Sequence, residues 1–115
     1  MPMNEAQSAL ADRVRALLAD EPHLTEKAMF GSRAFLLDEK IVVAVFTSAV
    51  LLVRVSEDDG PLLALEPGAS PALMGAQRRP MGPGWLTVEP EYLAYDGSLL
   101  SWIDAARAFH RARDS

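Results

Sequence analysis

Three apolar runs between Arg33 and Val55 are separated by breaks too short to hold a helix. Arg33–Leu37, Lys40–Phe46 and Val50–Val55 are divided only by Asp38-Glu39 and by a turn at Thr47-Ser48. Two-residue connections join antiparallel neighbours, because a parallel crossover needs a dozen residues or more. The second run holds Ile41, Val42, Val43 and Val45, whose branched side chains suit a pleated surface. It is apolar on both faces and therefore predicts a strand covered on both sides. In the third run Leu51, Val53 and Val55 point one way, and Leu52 and Arg54 the other. The chain is built around an antiparallel meander.

The flanks supply helices and further strands. Asn4 predicts an N-cap, with Gln7 reaching back to it. Ala6, Leu10, Val14, Leu17 and Leu18 recur at helical spacing, and Pro22 sets the limit of that helix. Thr25–Met29 leads into the meander through a turn at Phe30-Gly31-Ser32. Ser56–Pro61 carries helix-start chemistry, so a short helix is expected over Pro61–Leu65, stopped by Pro67-Gly68. Ala69–Gln77 reads as an extended segment at a sheet edge, Arg78–Gly84 as a loop, and Trp85–Val88 as a strand. Asp96 or Ser98 caps a last helix with a buried stripe of Leu99, Trp102, Ile103, Ala106 and Phe109. Tyr92 and Tyr95, just before it, are expected to lock that helix onto the sheet. The prediction is an α+β fold: one domain over residues 1–115, an antiparallel sheet of about 4–6 strands, helices packed on one side, and a short helix inserted in the middle.

Charge and cysteine content narrow the function classes. The chain has no cysteine, which excludes disulfides, thiolate nucleophiles and cysteine-based zinc sites. Its net charge of −5 argues against a general grip on nucleic-acid phosphates. The apolar run Ile41–Val55 is too short to span a membrane and is broken by Thr47, Ser48 and Arg54. The N-terminus carries Asn4, Glu5 and Asp12 and does not read as a secretory signal. A cytoplasmic protein without a membrane segment is expected.

Little points to catalysis. His23 and His110 are the only histidines, one in a linker and one in a helix tail. The consecutive acids Glu57-Asp58-Asp59 diverge on a turn or helix start, which suits a solvated cap better than a metal site. No catalytic residues, metal or cofactor are expected. The arginines are the candidate binding groups. Arg33, Arg54, Arg78 and Arg79, with Trp85, form an anion or partner site if the sheet brings them together.

The motifs also carry a family likeness. Lys27-Ala-Met-Phe-Gly-Ser-Arg-Ala-Phe-Leu-Leu-Asp38 comes first, then Leu52-Val-Arg-Val55 and Glu66-Pro-Gly-Ala69. Arg79-Pro-Met-Gly82, Gly84-Trp85, Val88-Glu-Pro90 and Leu99-x-x-Trp102-Ile103 follow in order. The set resembles the N-terminal domain of the TfoX/Sxy competence regulators. The turns Met29, Phe30, Gly31, Ser32 and Pro80, Met81, Gly82, Gly84 carry most of the likeness. Ser32 stands where the family usually has a second glycine, and the Met81-Gly-Pro-Gly-Trp85 loop is longer by Pro-Gly. The resemblance implies an α+β domain of a bacterial cytoplasmic protein, without a known catalytic role and linked to transcription regulation. Family regulators carry a second, helical domain; this chain ends at Ser115, so a stand-alone N-terminal domain is expected. Function is therefore expected to be non-enzymatic and regulatory, through a protein partner or a homodimer. The alternatives are a nucleic-acid-associated regulator using the arginines, or a small-anion sensor or cryptic enzyme.

Overall fold

The computed structural model describes residues 3–29 and 31–113. Helix α1 spans Glu5–Leu17, and Asn4 caps it by accepting the Gln7 amide on its side-chain oxygen at 2.8 Å. The buried stripe is Gln7, Leu10, Ala11 and Val14, so it lies one position away from the expected Ala6, which is exposed. The Gln7 side chain does not reach back to the cap. Its Nε2 donates to the carbonyls of Gly31 and Val45 at 2.9 and 3.1 Å.

The meander forms as expected. Strands β1 (Leu24–Met29), β2 (Ser32–Leu37), β3 (Lys40–Val45) and β4 (Leu51–Arg54) pair antiparallel in sequence order. Asp38 and Glu39 both have positive φ, 51° and 68°, between the paired residues Leu37 and Lys40. That is the left-handed geometry of a type I′ hairpin turn, whose twist matches the strands. A bulge interrupts the β2–β3 ladder between Phe35 and Leu36, where Phe35 pairs with Val43 and Leu36 with Ile41. Val42 is the extra residue, so Val42 and Val43 both enter the same buried cluster.

After β4 the chain forms a short helix α2 (Gly60–Leu63) and the edge strand β5 (Ala69–Pro71). Leu73–Met74 (β6) and Arg79–Pro80 (β7) then pair as a separate two-stranded hairpin. That hairpin was not expected, because Arg78–Gly84 reads as a loop. Arg78 takes a left-handed φ of 53°, and Gly75 one of 74°, which lets the chain reverse between the two strands. Strand β8 (Trp85–Val88) returns to the main sheet between β4 and β5, so the order is β1-β2-β3-β4-β8-β5, antiparallel throughout. A 3₁₀ turn at Pro90–Tyr92 precedes helix α3 (Asp96–Arg113).

Both long helices pack on one face of the sheet. Phe35, Val43, Leu51, Val53 and Leu86 meet Val14, Leu99 and Ile103 there. Burying each of the large side chains stabilises the fold by roughly 1.5–3 kcal/mol. The other face holds a smaller cluster of Ala34, Leu36, Ala44, Leu52 and Ala72, with Met81 and Trp85 packed against it. On α3 the buried residues are Leu99, Trp102, Ile103, Ala106 and His110. Phe109, expected in that stripe, is only half-buried, and His110 goes in instead. Its Nε2 lies 3.0 Å from Asp38 Oδ2, so the end of α3 is fastened to the β2–β3 turn.

Candidate functional site

The expected arginines divide among different neighbourhoods. Arg33 lies on the helix-covered face of β2, where its Nε sits 3.4 Å from Glu26 Oε2. Glu26 also receives Arg15 from α1, and Arg15 bonds Asp12 at 2.7 Å. Glu26 first, then Asp12, holds the Arg15 guanidinium well above its ordinary pKa. Arg54 takes the opposite face, paired across the ladder with Trp85. Its Cζ is 5.0 Å from the Trp85 ring centroid and 4.8 Å from that of Phe109, and Arg113 stacks on Phe109 at 4.9 Å. The series Trp85–Arg54–Phe109–Arg113 stitches the sheet to the last turn of α3. Arg78 and Arg79 are exposed on the β6–β7 hairpin, where Arg79 Nε donates to Gln77 Oε1 at 3.2 Å. The structure thus brings Arg54 and Trp85 together and gives Arg33 acidic neighbours of its own.

A concavity lies elsewhere, between α2 and the start of α3. It is a groove of about 580 Å³ with walls from Leu63, Pro67, Tyr92, Tyr95 and Trp102 and with Glu66 at its rim. Ser98 and Ser101 add hydroxyls along one side. Tyr92 and Tyr95 do not lock the helix to the sheet. They are 46% and 75% exposed, and their rings lie over Gly68 and Gly97, where a β-carbon would collide with them. Beside the groove, Leu62 and Leu65 are 70% and 81% exposed, the most open leucines of the described chain. Both flank the groove-lining Leu63 and Glu66 along the chain. Sequence reasoning missed this groove. The available signal was Pro61-Leu-Leu-Ala-Leu65, which has too many leucines for a one-turn helix to bury.

A second concavity of about 450 Å³ opens at His23, Thr25, Asp38 and Glu39. Among the described residues, no three or more His, Cys, Asp or Glu side chains group closely enough to hold a metal ion. No helix of the described chain is long and apolar enough to cross a membrane.

The family model described as the TfoX N-terminal domain matches residues 16–110. The chain belongs to the TfoX N-terminal domain family. No curated protein and no solved structure matches it.

The residues that carry the TfoX likeness have structural work in this chain. Met29 and Ser32 close the β1–β2 hairpin, Ser32 Oγ donates to the Met29 carbonyl at 2.7 Å, and Gly31 has a φ of 84°. Phe30 lies outside the described residues. The second TfoX-like turn closes the opposite end of the sheet. Pro80 ends β7, and the Met81 amide donates to the Ala72 carbonyl at 2.9 Å. Gly82 has a φ of 115°. Gly84 passes beneath the Arg54 guanidinium, and a β-carbon there would overlap it. The inserted Pro83 has a place too. Its carbonyl fills the space where Gly60, at the start of α2, lacks a side chain.

Proposed function

We propose that this chain is a non-enzymatic regulatory domain that works by holding a protein partner, in the bacterial cytoplasm and in the service of transcription control. Family membership supports the regulatory part of this reading. The single observation that carries the binding part is the aromatic groove with Leu62 and Leu65 open beside it. Apolar side chains exposed to this degree cost free energy in water that a partner recovers by covering them.

Site-specific photo-crosslinking in cells tests the proposal. A crosslinker at Leu65 or Tyr95 is expected to trap discrete adducts heavier than the 12.5 kDa chain. The same crosslinker at Thr25, exposed on β1, is the control. Adducts absent at Leu65 and Tyr95, or equal at all three positions, would overturn the reading.

One observation favours a second reading, contact with nucleic acid. Between Glu66 and Glu89 the only charged residues are Arg78 and Arg79, and both are exposed on the β6–β7 hairpin. Two phosphate contacts give a salt slope of about −2 in log affinity against log salt, lost in the double alanine variant. No gel shift at low salt disposes of this reading.

A further inference from the structure

The groove has a chemical signature that names its occupant. It is built from the segments 63–67 and 92–105, and the stretches that contain them, 55–67 and 89–106, hold no lysine, arginine or histidine. They do hold exposed acids, and Glu66 is the one charged residue that lines the groove. Arg13, which reaches the Leu93 carbonyl beside Tyr92, is already bound to Asp96 as well, each at 2.8 Å. A membrane surface or a nucleic acid would bring further negative charge to this rim. A basic polypeptide would complement it.

The walls specify conformation as well as charge. Tyr92 and Tyr95 offer ring surfaces to an occupant, and the largely buried Trp102 forms part of the wall behind them. Tyr92, Tyr95, Ser98 and Ser101 add hydroxyls to the same walls, and none of the four bonds another described side chain or backbone group. Rings and hydroxyl donors in one groove match the needs of a polyproline II strand. Such a strand makes no internal hydrogen bonds, so its carbonyls seek donors while its proline rings pack on aromatic faces. The volume of about 580 Å³ lies within the range of well-formed binding clefts.

We infer that the groove receives a short, extended, proline-containing segment of another protein, flanked by lysine or arginine that meets Glu66. The inference rests on the protein-binding reading above and names the partner's chemistry. Prolines pack on the exposed rings of Tyr92 and Tyr95. The segment's carbonyls take the hydroxyl protons, and its cations face Glu66.

The test is amide chemical-shift mapping on the intact, isotope-labelled chain. The probes are a synthetic arginine-flanked proline-rich peptide, the same peptide with alanine for proline, and the same peptide with glutamate for arginine. The proline-rich basic peptide is expected to shift the amides of Glu66, Tyr95, Gly97, Ser98 and Ser101 saturably, with the other two at least about tenfold weaker. Tyr95→Ala is expected to keep the native spectrum and weaken binding by a similar factor. Glu66→Lys is expected to weaken the arginine-flanked peptide and improve the glutamate-flanked one. Equal binding of the alanine peptide, shifts mapping to β1 or to the β6–β7 hairpin, or groove shifts produced by raising the protein's own concentration instead would each overturn the inference. If no peptide binds but Leu65 and Tyr95 still crosslink in cells, the proline inference fails and the protein-binding reading survives. If the crosslinks are also absent, both fail.

Discussion

Gln7 Nε2 donates to the Gly31 carbonyl at 2.9 Å, so the first turn of α1 holds the hairpin that opens the sheet. The same nitrogen reaches the Val45 carbonyl at 3.1 Å, and Asn4 Nδ2 donates to the Thr47 carbonyl at 2.6 Å. One helix start therefore fastens the β1–β2 turn and the end of β3 together. Gln7 is 1% exposed, so its amide is out of reach of water.

Replacing Gln7 with alanine leaves the two carbonyls short of a donor and a space in the core. A loss of about 1–3 kcal/mol is expected, or roughly 3–6 °C in melting temperature for each kcal/mol. Gln7→Glu is expected to cost more, because a buried carboxylate would face two carbonyl oxygens. Urea unfolding checks both, and a wild-type midpoint for either variant contradicts the strapping role.

The inserted Pro83 makes a prediction about glycine. In Gly60→Ala the new β-carbon runs into the Pro83 carbonyl, which is backbone and cannot swing aside. A cost of about 1–3 kcal/mol or more is expected from overpacking. Gly75→Ala meets nothing within 4 Å and bears only the strain of its φ of 74°, about 1–2 kcal/mol. Thermal melts are expected to rank Gly60→Ala below Gly75→Ala, and the reverse order would contradict the packing of α2 on the loop.

Arg54 lies between Trp85 and Phe109, so the two contacts share one guanidinium. Arg54→Ala is expected to cost about 1–2 kcal/mol from two stacked contacts. A double-mutant cycle of Arg54→Ala with Phe109→Leu is expected to show a coupling of about 0.5–1 kcal/mol. Additive effects would mean that the stack does not fasten α3.

The β2–β3 turn predicts a gain. Glu39 has a φ of 68° without being glycine. Glu39→Gly removes the strain of that conformation, offset in part by a more flexible unfolded chain, and is expected to stabilise by about 0.5–1 kcal/mol. Asp38 is best left in place, because it holds His110. A lower urea midpoint for Glu39→Gly would contradict the I′ assignment.

The meander could be read residue by residue because its signals are local. Alternation in Leu51–Val55 matches the two faces on which those side chains lie, and the two-residue break at Asp38-Glu39 matches the I′ turn. The bulge at Val42 could not be read that way, since an unbroken β-branched run looks the same with or without an extra residue. The β6–β7 hairpin was hidden for a related reason. Each strand is two residues long and contains Pro80 or abuts Gly75, so no periodicity can develop.

Chain order, the strand-rich centre, the helix cap at Asn4 and family membership follow from residue types and their spacing, which act over a few positions along the chain. The fate of the polar groups depended on what arrives from far away in sequence. Gln7 left its cap for Gly31 and Val45, His110 replaced Phe109 inside because Asp38 awaited it, and Arg33 and Arg54 took opposite faces. The groove is the clearest case, for α2 and the start of α3 form it only where the sheet sets them side by side. Hydrogen bonds and cavities depend on distances between folded elements, and those distances exist only once the sheet has closed.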